Sequence, residues 1–520
     1  MNETVKANPA SELNWRTVII LLGIALGIFM GALESTVVGT AMPTVIASLG
    51  GIEAYSWVFA VYILATTIMT PIWGKMADLI GRRPAFFGGL ALFILGSGLS
   101  GAAHSMPQLI VFRTIQGLGA GALFPVGMTI AADLLSLERR TKLVGVFSGM
   151  WGVASLFGPL AGGYLTDHLS WRWVFYINLP VGLASGIVVW AAYTERYERK
   201  KNITLDYAGA LTLAGGLTLL LFVVEKGAEQ PLMMTLATAV GCLAMLVAFV
   251  IIERRSVEPI VPLDLFRNRM VTAATLHGVF AGMALLGVMA FLPLFVQAVI
   301  GTTATQAGGI LTPFILTWTA FSILGSRSIL RFGYRRVAIV GMAIMLIGTG
   351  LLAQVTAQTG RPQLVLDVML MGMGGGLTFV TLLIASQHAV ERSRLGVATS
   401  MIQFARTIGA VIGIGAMGAL MSWQLNYALA RGGSELASLA NGHGDIAALV
   451  RESTRAALSP AAAEALRQAL AGSLRLTFIY AFVATAAAAI ASFFIPGGRA
   501  HELAHPEQHA SEPQAGLTEL

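Results

Sequence analysis

Apolar residues in this chain fall in long, almost uninterrupted runs rather than at the spacing of a half-buried helix or strand. The runs lie at 17–42, 55–74, 84–103, 107–134, 143–165, 172–194, 205–224, 232–252, 271–297, 306–325, 336–356, 363–386, 395–422 and 475–495. Each is close to the roughly 20 residues that cross a bilayer as a helix. Strands are excluded for runs of this length, because backbone groups in hydrocarbon must be hydrogen-bonded within their own segment. The pair spanning 205–252 is bracketed by charged segments and separates six runs from six. The pattern predicts an all-α polytopic membrane protein of 14 transmembrane helices. Its parts are a tail at 1–16, a six-helix bundle at 17–194, two inserted helices at 205–252, a second six-helix bundle at 271–495 and a tail at 496–520. Within the second bundle, residues 423–474 are polar and alanine-rich and predict a partly helical outside hairpin. Ser459 and Pro460 there look like a helix cap and first turn.

Composition sharpens the picture. Of 520 residues, 56% are hydrophobic and 11% charged, which excludes a soluble enzyme. The net charge of +7 would suit a nucleic-acid partner, but the cations are distributed asymmetrically. Alternate connections hold Lys75, Arg82, Arg83, Arg139, Arg140, Lys142 and most of the rest, whereas the opposite short connections hold only Arg172, Lys226 and Arg361. This is the positive-inside pattern, so both termini are expected in the cytoplasm and no nucleic acid is expected as partner. The first run is too long for a signal peptide and contains Glu34, despite the small residues Gly39-Thr40-Ala41. One cysteine, Cys242, leaves no cysteine-based metal cluster. His501, His505 and His509 are spaced four apart, but Pro506 interrupts any helix that would align them, so no metal site is expected. Gly372 to Gly376 lie inside an apolar helix and read as close packing; without a phosphate-loop lysine motif, no nucleotide cofactor is expected and energy should come from a gradient.

Glu34 is the only charge in the first span. A carboxylate in hydrocarbon is expensive, so it must face a cavity, find a cation or take a proton, the profile of a proton carrier; the alternative is a carboxyl hydrogen-bonded to a neighbouring helix. Arg113 in the fourth span lies at comparable depth, about 9 Å from the outer end by helical rise, so the two are expected to communicate as a proton-coupling pair or to form a fixed structural ion pair. Asp133 and Asp367 are the next acids to consider. Between the second and third spans, Gly74-Lys75-Met76-Ala77-Asp78-Leu79-Ile80-Gly81-Arg82-Arg83 is either a basic topogenic loop or a latch in which Asp78 pairs in one conformation only. The fifth span contains Gly145, Gly149, Gly152, Gly158, Pro159, Gly162 and Gly163, suited to close helix approach and a bend. Trp171 to Pro180 opens the sixth span and reads as an interfacial aromatic belt.

The Gly74–Arg83 string resembles the loop signature of the major facilitator superfamily. A weaker copy at Ser326 to Arg336 departs from it, with Leu330 where the acid would stand. Gly152 to Gly163 resembles the motif of the superfamily's antiporters. The strings around Glu34, at Trp171–Pro180 and at Gln403–Gly409 are similar to the drug:proton antiporter branch with fourteen helices, of the multidrug or quaternary-ammonium efflux type, along nearly the whole chain. One departure is that Glu34 stands where aspartate is common. The resemblance implies a major facilitator fold and proton-coupled export of amphipathic or lipophilic compounds by alternating access across a bacterial inner membrane. It implies proton coupling at Glu34 and Arg113, and gating by Gly74, Asp78, Gly81, Arg82, Arg83, Gly152, Gly158, Pro159, Gly162 and Gly163. Trp57, Tyr62, Trp151, Phe157, Trp318, Phe321, Phe404 and Arg406 are substrate-binding candidates on chemistry and position. Expected partners are the amphipathic substrate, protons and lipids, with the chain acting as a monomer and an envelope adaptor as a further partner. Export of an endogenous lipid, peptide, siderophore or metabolite, proton-coupled uptake, and a non-transporting receptor are the competing functions.

Overall fold

The computed structural model describes residues 14–135, 153–154, 157–194, 206–226, 230–256, 259–261, 263–390, 395–431 and 459–496. The helices in chain order are α1 (Trp15–Leu49), α2 (Tyr55–Ile80), α3 (Arg82–Gly101), α4 (Met106–Leu134), α5 (157–168), α6 (Trp173–Tyr176 and Asn178–Ala192), α7 (Tyr207–Lys226) and α8 (Leu232–Arg255). They continue as α9 (Arg269–Ala298), α10 (Ala304–Phe332), α11 (Tyr334–Leu352), α12 (Arg361–His388), α13 (Leu395–Arg431) and α14 (Pro460–Phe493). Among the described residues, twelve helices are long and apolar enough to cross a membrane, and α7 adds the shorter apolar stretch Tyr207–Val223. The face at which α1 begins is called the basic face below, and the opposite one the far face.

Two boundaries differ from the sequence reading. Pro43 does not close α1, which continues to Leu49 and ends at Gly50 and Gly51, both at positive φ. The proline forfeits one bond of the helical ladder. However, Val45 and Ile46 in the following turn are fully buried in one apolar cluster with Phe291 and Phe295 of α9, and that burial holds the helix. The helices that flank the expected hairpin at 423–474 run past the apolar segments into both of its ends. Its first residues extend α13 to Arg431, and its last belong to α14, which starts at Pro460 with the Ser459 hydroxyl accepting from the Ala462 N–H. Residues 432–458 lie outside the described residues.

The two halves repeat one device. Gly81 (φ 104°) turns α2 directly into α3, and Gly333 (φ 78°) turns α10 directly into α11. Each is a one-residue reversal that an L side chain would strain. α7 and α8 pack on each other, and α7 also leans against α2 and α13. Leu213, Leu217 and Leu221, spaced four apart on one face of α7, are buried in a cluster with Ala60 and Leu64 of α2 and Met401 and Val411 of α13. The inserted pair therefore covers a seam between the two bundles. α8 turns Met233, Val240 and Leu243 outward, as a lipid-facing helix should.

Candidate functional site: a buried carboxyl network and the far-face seal

Glu34 and Arg113 are each 1% exposed and form a direct ion pair between Glu34 Oε1 and Arg113 NH1. Every other group around them is placed to hold that charge. Arg113 NH1 also donates to Gln116 Oε1 at 2.7 Å, and its Nε donates to the Val58 carbonyl at 3.3 Å. The guanidinium lies over the Tyr62 ring, 4.0 Å from its centroid. Asn178 Nδ2 donates to Glu34 Oε2 at 2.5 Å, so both carboxylate oxygens have a partner.

Ser97 of α3 fixes the two amides. Its Oγ accepts from Gln116 Nε2 at 3.0 Å and from Asn178 Nδ2 at 2.9 Å, and donates to the Phe175 carbonyl at 2.9 Å. That uses the hydroxyl's one proton and both lone pairs, so Gln116 must turn its oxygen to the arginine and Asn178 its N–H to the carboxylate. Asn178 begins the second piece of α6 just after the break at Ile177. The string expected to be an aromatic belt thus also carries a polar contact to α1, which the sequence reading missed. Gln116, one turn from Arg113, was legible as a same-face neighbour; Asn178 became visible only once α6 was seen to break and pack on α1. Replacing Asn178 with leucine keeps the branched outline of the side chain and removes both donors. A hydrogen bond to a charged group contributes about 1.5–3 kcal/mol, so pH-driven export in liposomes is expected to fall by about ten- to a hundredfold. Unchanged export would show that Asn178 does not support the carboxyl.

The second constellation closes the far face between the halves. Gly158 and Gly162 of α5 lie against Thr36 and Thr40 of α1, and a Cβ at Gly163 would overlap the backbone of Ala304 and Thr305 at the start of α10. From the other side, a Cβ at Gly308 would overlap the Pro159 carbonyl. The Tyr55 hydroxyl donates to the Ala290 carbonyl, and Gln297 Nε2 donates to the Thr40 carbonyl at 2.9 Å. Asp167, beyond the spanning part of α5, accepts from the backbone N–H groups of Ala304 (3.2 Å) and Thr305 (2.8 Å). Burial works to raise its pKa, but the Thr305 hydroxyl and N–H, the Thr303 hydroxyl and the Ala304 N–H hold it below the usual carboxylate value. A depressed value means that the ionised form favours the closed seal. That contribution is fully present above about pH 4 and is lost only as the pH falls further, so Asp167 does not titrate near neutrality.

The remaining sequence candidates are dispersed. Gly74 has open space beside it, and Arg83 NH2 donates to the Trp190 carbonyl in the last turn of α6 at 2.9 Å. Arg82 and Gly81 open α3, while the side chain of Asp78 and residues Trp151 and Gly152 lie outside the described ones. Trp57 and Phe404 meet the α2–α7–α13 cluster, and Phe157 is 56% exposed. Phe321 is half-buried in α10. Trp318 and Arg406 line a cavity inside the second bundle. Gly372, Gly374 and Gly376 are packed against Phe314, Gly341 and Trp318, as expected of close helix contact. Asp367 is fully buried, and neither carboxyl oxygen is hydrogen-bonded among the described residues; the side chain of Asp133 is outside the described set.

The structure is two helical bundles, the first enclosing a buried ion pair, packed on each other at the far face. The chain belongs to the Major Facilitator Superfamily, whose family model matches residues 24–414 and 274–504. Multidrug resistance protein 3 of Bacillus subtilis (strain 168) is 34% identical over 517 residues, covering 98% of this chain and 100% of the relative. Multidrug transporter protein MdtP of the same strain is 36% identical over 407 residues, covering 78% of this chain and 75% of the relative. The fold is also that of a crystal structure of a bacterial homologue of the human lysosomal transporter Spinster. That structure has a TM-score of 0.67 at 17% identity, covering 93% of this chain and 98% of that one.

Proposed function

We propose that the protein is a proton-coupled exporter of amphipathic or lipophilic drugs and toxic compounds, with its basic face in the cytoplasm and both termini on that side. The observation that carries this reading is Glu34, sealed from solvent with a donor on each oxygen. Protonating it removes the charge that Arg113 and Asn178 are arranged to hold. Breaking a buried ion pair by removing one charge costs about 3–5 kcal/mol, and Arg113 is then left desolvated without a counter-charge. A conformation that admits water or substrate to the arginine relieves that cost. Protonation is thereby tied to which conformation is favoured, the requirement for alternating access.

The energetics suffice. One proton crossing about 150 mV yields about 3.5 kcal/mol, enough for a roughly 300-fold substrate gradient. The names of the Bacillus relatives support drug efflux, and the cation asymmetry between connections supports a cytoplasmic basic face in a bacterial inner membrane. Expulsion of a panel of dyes and drugs from cells, with and without a protonophore, tests the reading. Loss of export on adding the protonophore is expected; export that persists unchanged would contradict proton coupling. Absence of substrate counterflow in proteoliposomes would favour a receptor instead.

A further inference from the structure

Arg406 is a cation inside the second bundle with no acid paired to it among the described residues. It projects from α13 into a cavity of about 20 Å3, room for about one water, lined also by His277, Gly278, Trp318, Thr378 and Phe379. The guanidinium lies over the Phe379 ring, 4.4 Å from its centroid, and its Nε is buried without a hydrogen-bond partner. No carboxylate among the described residues lies within ion-pair distance of it. This is the reverse of Arg113, whose charge is answered by Glu34. A guanidinium in a membrane-spanning helix, half-buried and without a counter-charge among the described residues, is costly, and such residues there commonly mark a ligand's path.

We infer that Arg406 receives the carboxylate of a lipophilic aromatic acid carried as substrate, so that the transported class includes weak organic acids. The cavity's chemistry matches that ligand. A guanidinium binds a carboxylate through paired N–H donors, and the Thr378 hydroxyl in the lining, which already donates to the Gly374 carbonyl at 2.7 Å, leaves that role to Arg406. Trp318 lies between two further rings, with centroids 5.7 Å from Phe314 and 5.8 Å from Phe379. These rings offer an apolar wall for an aromatic body beside the charged head. Close packing makes the placement firm, because Gly282 of α9 abuts the Arg406 backbone and Gly375 of α12 abuts the Trp318 ring. In this far-face-closed conformation the cavity has room for about one water, so such a ligand reaches Arg406 as the bundles separate.

The proposal rests on the exporter reading, and its test uses binding without any gradient, so the two fail separately. Purified full-length protein in nanodiscs is equilibrated at pH 7.5, in methanesulfonate salt, with 2-naphthoate, 2-naphthylmethanol or 2-naphthylmethylammonium, and bound ligand is measured by equilibrium dialysis. The wild type is expected to bind the acid at least about tenfold more tightly than the alcohol or the amine. Arg406→Gln should remove that advantage while leaving the alcohol within about twofold, and Arg406→Lys should keep part of it. Equal binding of all three probes by the wild type overturns the proposal without needing any variant. Equal loss of all three in Arg406→Gln also overturns it, as does an advantage that vanishes when chloride replaces methanesulfonate, which would mark an inorganic-anion site.

Discussion

Glu34→Gln is expected to abolish uphill export. The amide preserves the shape and an acceptor for Arg113, but it cannot release a proton and no longer carries the charge held from both sides by Arg113 and Asn178. Because the ion pair contributes about 3–5 kcal/mol of conformational bias, the pH-driven rate should fall by at least about a hundredfold, while downhill exchange of substrate continues. Glu34→Asp should behave differently. It retains the carboxyl but withdraws it by about one methylene from partners that are themselves fixed through Ser97, so coupling should survive at a reduced rate. Export assays on cells carrying each variant, with protein levels matched, separate the two. Equal loss in both would point to a structural pair rather than a proton carrier.

The second large effect is expected at the far face. Gly163→Val places a branched side chain where a single Cβ already overlaps the start of α10, against backbone that cannot turn away as a flexible side chain would. Overpacking of about 1–3 kcal/mol or more falls on the closed seal alone, because the contact is between halves that separate when the face opens. The population should therefore shift toward the far-face-open state by about ten- to a hundredfold or more, with export reduced accordingly. Thr36→Cys, one turn from the seal and packed against Gly158, reports the shift in a Cys242→Ser background. An impermeant thiol reagent applied from the far side should label it much faster in the Gly163→Val protein. Equal labelling rates would show that these glycines are not what allows the face to close.

The parts of this architecture that were legible in the sequence are those written in single-residue chemistry. A charge in an apolar run can be recognised wherever it stands, so Glu34 and Arg113 stood out and the structure brings them together. Glycine at a chain reversal is equally local, and Gly81 and Gly333 mark corresponding turns. What stayed hidden depends on which helices touch. Asn178 sits in a string whose tryptophans suit a membrane interface, and its contact with Glu34 arises only from the break in α6 and the packing of that helix on α1. Asp167 drew no reading from the sequence, because its contact exists only where α10 begins beside it. The leucines of α7 carry no sign in sequence that they face α2 and α13 rather than lipid, since both surroundings are apolar. Pro43 misled for the opposite reason, because a strong local breaker was overridden by the burial of the turn beyond it.

The most direct test of the proposed mechanism is substrate-driven proton movement in liposomes containing purified protein and an internal pH dye. With an imposed substrate gradient and no initial pH difference, the wild type should move protons opposite to substrate, and Glu34→Gln should move substrate downhill with no accompanying proton flux. Undiminished proton flux in Glu34→Gln as substrate runs down its gradient would contradict the assignment of Glu34 as the coupling site and turn attention to Asp133 or Asp367.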